Sequence, residues 1–357
     1  MRRREAVLGL MALGGCAAPA ARAPLVVRPS PPSRLRLPAG APFEAWAEHL
    51  HLPAMRASPQ IVTLSGGGED GAFGAGVMNG WSARGGRPRF DVVTGVSTGT
   101  LMAPFVFLGP RYDPLLRAIY TGHGGDELVR SRGLPGFLGT SLNDPGPMRR
   151  LIAAYVTSEL VARVAEAHGN GRRLFAVTSN LDTGRADVWN MGRIARAGQV
   201  DLFRAVLLAS ASIPGFFPPV TLRAGNVREA HVDGGVNMQL LAVPEAAFRN
   251  LSRTRKPGGT LRIVVNNSLN PRPWPVPRST LPIMQSTFSS MVRAHAASAV
   301  ASARRYARRT GLDFAVASVG RDFDVPFDPS KRFELGYMRA LYAYGYDKAR
   351  SGNAWKP

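Results

Sequence analysis

The stretch Gly95-Val96-Ser97-Thr98-Gly99 constrains this chain more than any other. A short β-branched run at 90–94 leads into it, and an apolar stretch of helical length at 98–108 leads out. Strand, tight turn and helix in that order put the serine on a crowded bend whose flanking positions must be small. The bend also presents Ser97 near a helix N-terminus, where unpaired N–H groups favour developing negative charge. A serine that only capped the following helix would not require both Gly95 and Gly99. Ser97 is therefore a candidate nucleophile.

The same alternation of short β-rich runs and helical patterns extends along the chain. Strands are predicted at 60–65, 90–94, 174–179, 187–190, 229–233, 261–266 and 314–319. Helices are predicted at 72–81, 98–108, 114–121, 146–168, 202–210, 287–309 and 334–349. This order predicts an α/β fold, a three-layer α/β/α arrangement with a mainly parallel central sheet. With 357 residues, 45% of them apolar, the chain can bury a sizeable core. No low-complexity tract splits it and no internal repeat is visible, so 60–357 reads as one domain. Residues 17–59 read as a Pro- and Ala-rich tether to about Pro42, then a short lead-in that includes a helix at 43–52.

The first 16 residues carry a basic start, Arg2-Arg3-Arg4, and a short apolar stretch, too short to span a bilayer. They end in Leu13-Gly14-Gly15-Cys16, which resembles a bacterial lipobox, with Cys16 the only cysteine in the chain. The expectation is a signal peptide at 1–16, lipidation at Cys16, and a lipoprotein of the cell envelope on the periplasmic or outer-membrane side. Plain secretion is the alternative. A single cysteine excludes a disulfide framework and a cysteine-ligated metal site.

Two further motifs follow strands. Gly66-Gly67-Gly68-Glu69-Asp70-Gly71 has the GxGxxG spacing of a dinucleotide loop, which wants an acid at the end of the next strand, about twenty residues on. Asp91 stands near that distance, but it opens its strand and does not close it. An oxyanion hole fits better, with Gly66, Gly67, Gly68 and Gly71 freeing backbone N–H groups. His231-Val232-Asp233-Gly234-Gly235 ends a strand in a carboxylate. Asp233 is a candidate base for the serine if burial raises its pKa; it is equally suited to stabilising its own turn.

Charge modifies this picture. The net charge of +21, from 45 Lys+Arg against 24 Asp+Glu, suits an anionic partner. The arginines are scattered and no nucleic-acid-binding signature is visible, so nucleic acid is not favoured. The pairs Arg149-Arg150, Arg172-Arg173, Arg304-Arg305 and Arg308-Arg309 are candidates for a face toward anionic lipid, although such pairs are more often simply solvated.

The glycine loop, the GxSxG elbow and the Asp-Gly-Gly turn, in this order, resemble the patatin-like phospholipases. Supporting stretches are 64–68, 71–76, Ser179-Asn180-Leu181-Asp182-Thr183-Gly184, and Ala209-Ser210-Ala211-Ser212-Ile213-Pro214 with Phe217-Pro218-Pro219. The resemblance covers 61 to about 355. It implies a Ser97–Asp233 dyad without a histidine, the glycine loop as oxyanion hole, and acyl esters of membrane lipids as substrates, with no cofactor. One departure stands out: Asp70 occupies the place where that family's loop often carries Arg or Lys. A Ser-His-Asp esterase is the enzymatic alternative, but only His295 follows Asp233, inside a helical pattern. His231 reads as a packed or surface imidazole. A lipid-binding lipoprotein without turnover is the non-enzymatic alternative. No metal site and no calcium loop is recognised, and the sequence does not specify an oligomeric state.

Overall fold

In the computed structural model, residues 33–51, 58–128, 130–131, 141–224, 227–249, 258–270, 278, 280–328 and 331–357 are described. The signal-like segment 1–16 with Cys16, and the tether as far as residue 32, lie outside them. Among the described residues nine strands make one sheet: β1 (Arg36–Pro38), β2 (Gln60–Leu64), β3 (Val92–Val96), β6 (Arg173–Asn180), β7 (Arg185–Asn190), β8 (Val220–Ala224), β9 (Val227–Asp233), β10 (Thr260–Val265) and β11 (Asp313–Ser318). The pair β4 (Arg130–Ser131) and β5 (Asn143–Asp144) stands apart. The long path runs β1-β7-β6-β3-β2-β10-β11, and β8 and β9 attach at β6. β6, β3, β2, β10 and β11 are mutually parallel, whereas β1, β7, β8 and β9 join by antiparallel pairings. The mainly parallel α/β sheet expected from the alternation is the one observed.

Period-2 alternation sorts the strand side chains onto two faces. Val62, Leu64, Val93, Leu174, Ala176 and Val264 face the larger core, together with helices α2 (Gly71–Arg84) and α3 (Thr98–Leu108) and the helix Leu335–Ser351. Their neighbours Val92, Val96, Phe175 and Val177 face the other side, against Trp46 of α1 (Phe43–Leu50). Leu261, Ile263 and Val265 meet Ala296, Val300, Ala303 and Ala307 of the long helix Thr280–Thr310. Helices thus cover both faces.

Three differences from the sequence reading have physical causes. The tether does not extend to Pro42, because Arg36–Pro38 joins the sheet beside β7. The buried Arg36 guanidinium lies 2.7 Å from Asp187 Oδ2 and 2.5 Å from Glu229 Oε2. Second, the single helix expected at 146–168 is two, Gly146–Tyr155 and Ser158–Gly169. Val156 leaves helical geometry and Thr157 Oγ1 caps the second helix by accepting from Leu160 N–H at 3.2 Å. Third, Arg172 and Arg173 cannot belong to a lipid-facing surface, since they are only 6% and 5% exposed. Arg172 donates to the carbonyls of Phe90 (2.7 Å) and Phe107 and stacks 4.2 Å over the Phe107 ring.

α2 owes its position to small residues. A Cβ at Gly76 would lie 2.1 Å from Tyr342 O, and one at Gly80 would lie 2.2 Å from Tyr346 O. The helix Leu335–Ser351 therefore packs backbone against backbone on α2. Gly76→Ala is expected to force the two helices apart and cost about 1–3 kcal/mol, as overpacking does. A thermal melt followed by circular dichroism checks this. Gly122→Ala, at a helix end where an added Cβ meets nothing within 4 Å, should leave the melting temperature unchanged.

Candidate active site

The site is built where two strands meet end to end. β3 runs parallel to β6 and its last residue, Val96, is opposite Val177. β7 takes the far edge of β6 from Phe175 to Asn180. β9 must therefore pair on the same edge as β3; it arrives antiparallel and ends with Asp233 opposite Thr178. Val96 and Asp233 thus face successive residues of one strand. The chain leaving Val96 meets Asp233 at once.

Ser97 makes that exit in a left-handed conformation, φ 54° and ψ −125°. A non-glycine residue there carries strain on the order of 1–3 kcal/mol, and it persists only where the surroundings enforce it. The flanking glycines allow the bend. A Cβ at Gly95 would sit 2.5 Å from Gly99 O, and one at Gly99 would sit 2.3 Å from Leu64 O. Ser97 precedes α3 but its side chain does not cap it; Ser97 Oγ instead donates to Asp233 Oδ2 at 2.5 Å. The other oxygen, Asp233 Oδ1, accepts from Gly235 N–H at 2.7 Å. Asp233 therefore stabilises its own turn and holds the serine at the same time. Gly234 is required by closeness, since its Cβ would lie 2.4 Å from Val177 O.

Backbone bonds hold both partners. Ser97 N–H donates to Ser210 Oγ at 3.0 Å, and Asp233 N–H donates to Ser212 O at 2.9 Å. The stretch 209–214 is thus the bracket behind the pair. Ser97 and Asp233 are each 5% exposed. Burial pushes the Asp233 carboxyl up to about 7, against the opposing pull of its bonds from Ser97 and Gly235.

The glycine loop lies beside this pair, and its members differ. Gly66 N–H is bonded to Gln239 O at 3.1 Å, and Gly71 N–H to Gly68 O. A Cβ at Gly67 would lie 1.9 Å from Asn266 O, and one at Gly71 would lie 2.1 Å from Thr98 Oγ1. Gly68, with φ +60°, lines the cleft together with Ser97 and Thr98. Among the described residues the N–H groups of Gly68 and Thr98 have no hydrogen-bond partner. Thr98, the first residue of α3, went unnoticed in the sequence as a donor, although its place after the serine could have marked it. Asp70 accepts from Tyr337 Oη at 2.8 Å; burial and the neighbouring Glu69 push its carboxyl up to about 7. The cleft is small, about 40 Å³; Glu69 and Tyr120 line it, and its other walls are mostly apolar, among them Leu101, Met148, Phe217 and Phe333.

None of the chain's six histidines hydrogen-bonds Ser97 or Asp233. His295 is exposed on the helix Thr280–Thr310 and lines a different cleft. His231 is fully buried, 2.9 Å from Thr178 Oγ1 and edge-on to Trp189. With Asp187 and Glu229 it forms the one set among the described residues whose geometry could hold a metal. The Arg36 guanidinium already bridges those two carboxylates.

A family model described as patatin-like phospholipase matches residues 62–244, just over half of the chain. The match includes the glycine loop, Ser97 and Asp233 and ends before the helix Thr280–Thr310. No curated protein matches the chain. Among solved structures it is similar to VipD from Legionella pneumophila, at 11% identity and a TM-score of 0.47, covering 84% of this chain and 67% of that one.

The raised Asp233 carboxyl has a consequence for stability. The folded protein keeps a proton that the unfolded chain, with a carboxyl near 3.9, releases between about pH 4 and pH 7. Stability from this group therefore falls as pH rises through that window and stays lowered above it. Asp233→Asn is neutral throughout, so its melting temperature relative to wild type is expected to be higher at about pH 8 than at about pH 5. An equal difference at both would refute the raised value.

Proposed function

The chain belongs to the patatin-like phospholipase family, whose general activity is hydrolysis of lipid acyl esters, and from that premise we propose that Ser97 is its nucleophile and Asp233 its base. One observation carries the reading: a serine hydroxyl on a strained bend donates at 2.5 Å to a buried carboxylate. A carboxyl near 7 is partly ionised at neutral pH and strong enough as a base to take the proton as the bond to carbon forms.

In this mechanism Asp233 Oδ2 accepts the Ser97 proton while Oγ attacks the acyl carbonyl carbon. The negative charge that develops on the carbonyl oxygen meets the N–H groups of Gly68 and Thr98. Asp233 then protonates the departing alcohol, leaving an acyl-serine. Water, deprotonated by Asp233, attacks that ester and releases the fatty acid. Each N–H aimed at the oxyanion typically supplies about 3 kcal/mol in the transition state.

A Ser-His-Asp esterase finds no support, because no histidine stands at the serine. A lipid-binding lipoprotein without turnover has no use for the strained bend. We also propose that the protein works at an anionic membrane surface, a reading supported by the +21 charge and by the lipobox-like end at Cys16. Among the described residues no helix is long and apolar enough to cross a membrane.

Ser97→Ala and Asp233→Asn are each expected to lower turnover of lipid and short esters by about a thousandfold or more while remaining folded. Turnover by the wild type should rise as pH increases through about 7, with ionisation of Asp233. His295→Ala is the discriminating control. Loss of activity there, with Asp233→Asn still active, would refute the dyad.

A further inference from the structure

The cleft beside Ser97, at about 40 Å³, is far smaller than the roughly 300–1,000 Å³ of ordinary ligand pockets. A long acyl chain enters only if a wall moves. Leu101 belongs to α3 and Met148 to the helix Gly146–Tyr155, so the backbone behind each is held by helix hydrogen bonds. Phe333 is different. It precedes the helix Leu335–Ser351 and belongs to no regular element, and its φ of 58° is a strained, left-handed value for an aromatic residue. The residue is 7% exposed, its ring tilts against Phe216 at 6.2 Å, and its carbonyl accepts from Gly125 N–H at 2.8 Å.

The residue before it fastens it. Arg332 meets Glu69 through one hydrogen bond, Nη2 donating to Oε2 at 2.7 Å, and through an ion-pair contact of 2.6 Å between Nε and Oε1, which lack hydrogen-bond geometry and leave the fork half used. The guanidinium also lies 5.4 Å from the Phe216 ring and 5.6 Å from the Phe333 ring. Glu69 is a cleft-lining residue whose side chain is only 3% exposed, whereas that of Arg332 is 28% exposed. The outer partner of this pair is therefore open to a ligand arriving at the mouth. Arg332 Nη2 lies 3.2 Å from where a Cβ on Gly68 would be, so such a ligand would sit next to the serine.

Resting on the hydrolase reading above, we propose that Arg332 selects substrates with a phosphate-bearing headgroup and that binding it unfastens Phe333. The phosphate replaces Glu69 as the planar guanidinium's partner, since both present paired oxygens to the same fork. With the pair broken, the strain at Phe333 favours its departure, the acyl cleft opens, and water reaches Glu69 as it loses its cation. A neutral lipid of the same chains has nothing to offer Arg332 and meets a closed wall.

The test compares diacyl phosphatidylglycerol with diacylglycerol of identical chains, each dilute in the same uncharged detergent micelles. High salt is used to screen the general cationic surface. The wild type is expected to favour the phospholipid in kcat/KM by about tenfold or more, the size of one charge-assisted hydrogen bond. Arg332→Gln should raise the rate on diacylglycerol severalfold and lower that on the phospholipid, bringing the ratio near one. Glu69→Gln should raise the neutral rate yet keep the preference, and Arg332→Lys should keep part of it. Parallel loss on both lipids in Arg332→Gln and Glu69→Gln, or an unchanged ratio in Arg332→Gln, overturns the proposal. Stimulation of diacylglycerol hydrolysis by inorganic phosphate would assign the site to the free ion and overturn the headgroup assignment. A wild type active on a short soluble ester but indifferent to the headgroup overturns this inference alone. One inert on every ester removes the hydrolase reading as well.

Discussion

Everything at the site follows from two strands sharing one edge of β6. Because β3 stops opposite Val177 and β9 stops opposite Thr178, neither can continue. β3 must turn out of the sheet at Ser97, and β9 must turn at Gly234. The strain at Ser97 is the cost of that collision, and the 2.5 Å bond to Asp233 is its product. The carboxylate is buried for the same reason. It ends a strand within the sheet, and only Ser97 and Gly235 offset its lost hydration.

The rest of the molecule holds this junction still. Ser210 and Ser212 tie the backbone of both partners from behind. Gln239 joins the glycine loop to the turn after Asp233, accepting from Gly66 N–H and donating from Nε2 to Gly235 O at 2.6 Å. Thr98 is fixed by Tyr120, whose hydroxyl donates to the Thr98 carbonyl at 2.9 Å. A reacting serine needs its neighbours in place before substrate arrives, because reorganisation during the reaction would raise the barrier.

What was legible in the sequence was local. The switch from β-branched run to glycine turn to apolar helix placed Ser97, and α3 spans the stretch expected for it. The strand end at Asp233 was legible in the same way. Long-range pairing was not. Nothing near 227–233 says that β9 runs antiparallel onto the edge that β3 has just left. β1 is three residues in a Pro-rich stretch and takes its strand identity from β7. Arg172 and Arg173 read as surface charge, since burial of a guanidinium depends on carbonyls contributed from elsewhere. The division of the glycine loop, with Gly66 and Gly71 bonded internally and Gly68 turned to the cleft, depends on Gln239 and Thr98 and so is invisible in the loop itself. Arg332 and Phe333 could not have been linked to residue 69 by any periodicity.

The contact between Arg36 and the carboxylates of Asp187 and Glu229 spans separations of 151 and 193 residues. During synthesis Arg36 emerges long before its partners, so the cation waits for β9, which carries both Glu229 and Asp233. At the other end of the chain, the cleft needs Phe333 and Met338 for its walls. A growing chain therefore assembles its sheet around an incomplete site. The cleft gains its last walls only once the chain has been made past residue 338, so a shorter copy has no finished tool to turn on the lipids around it.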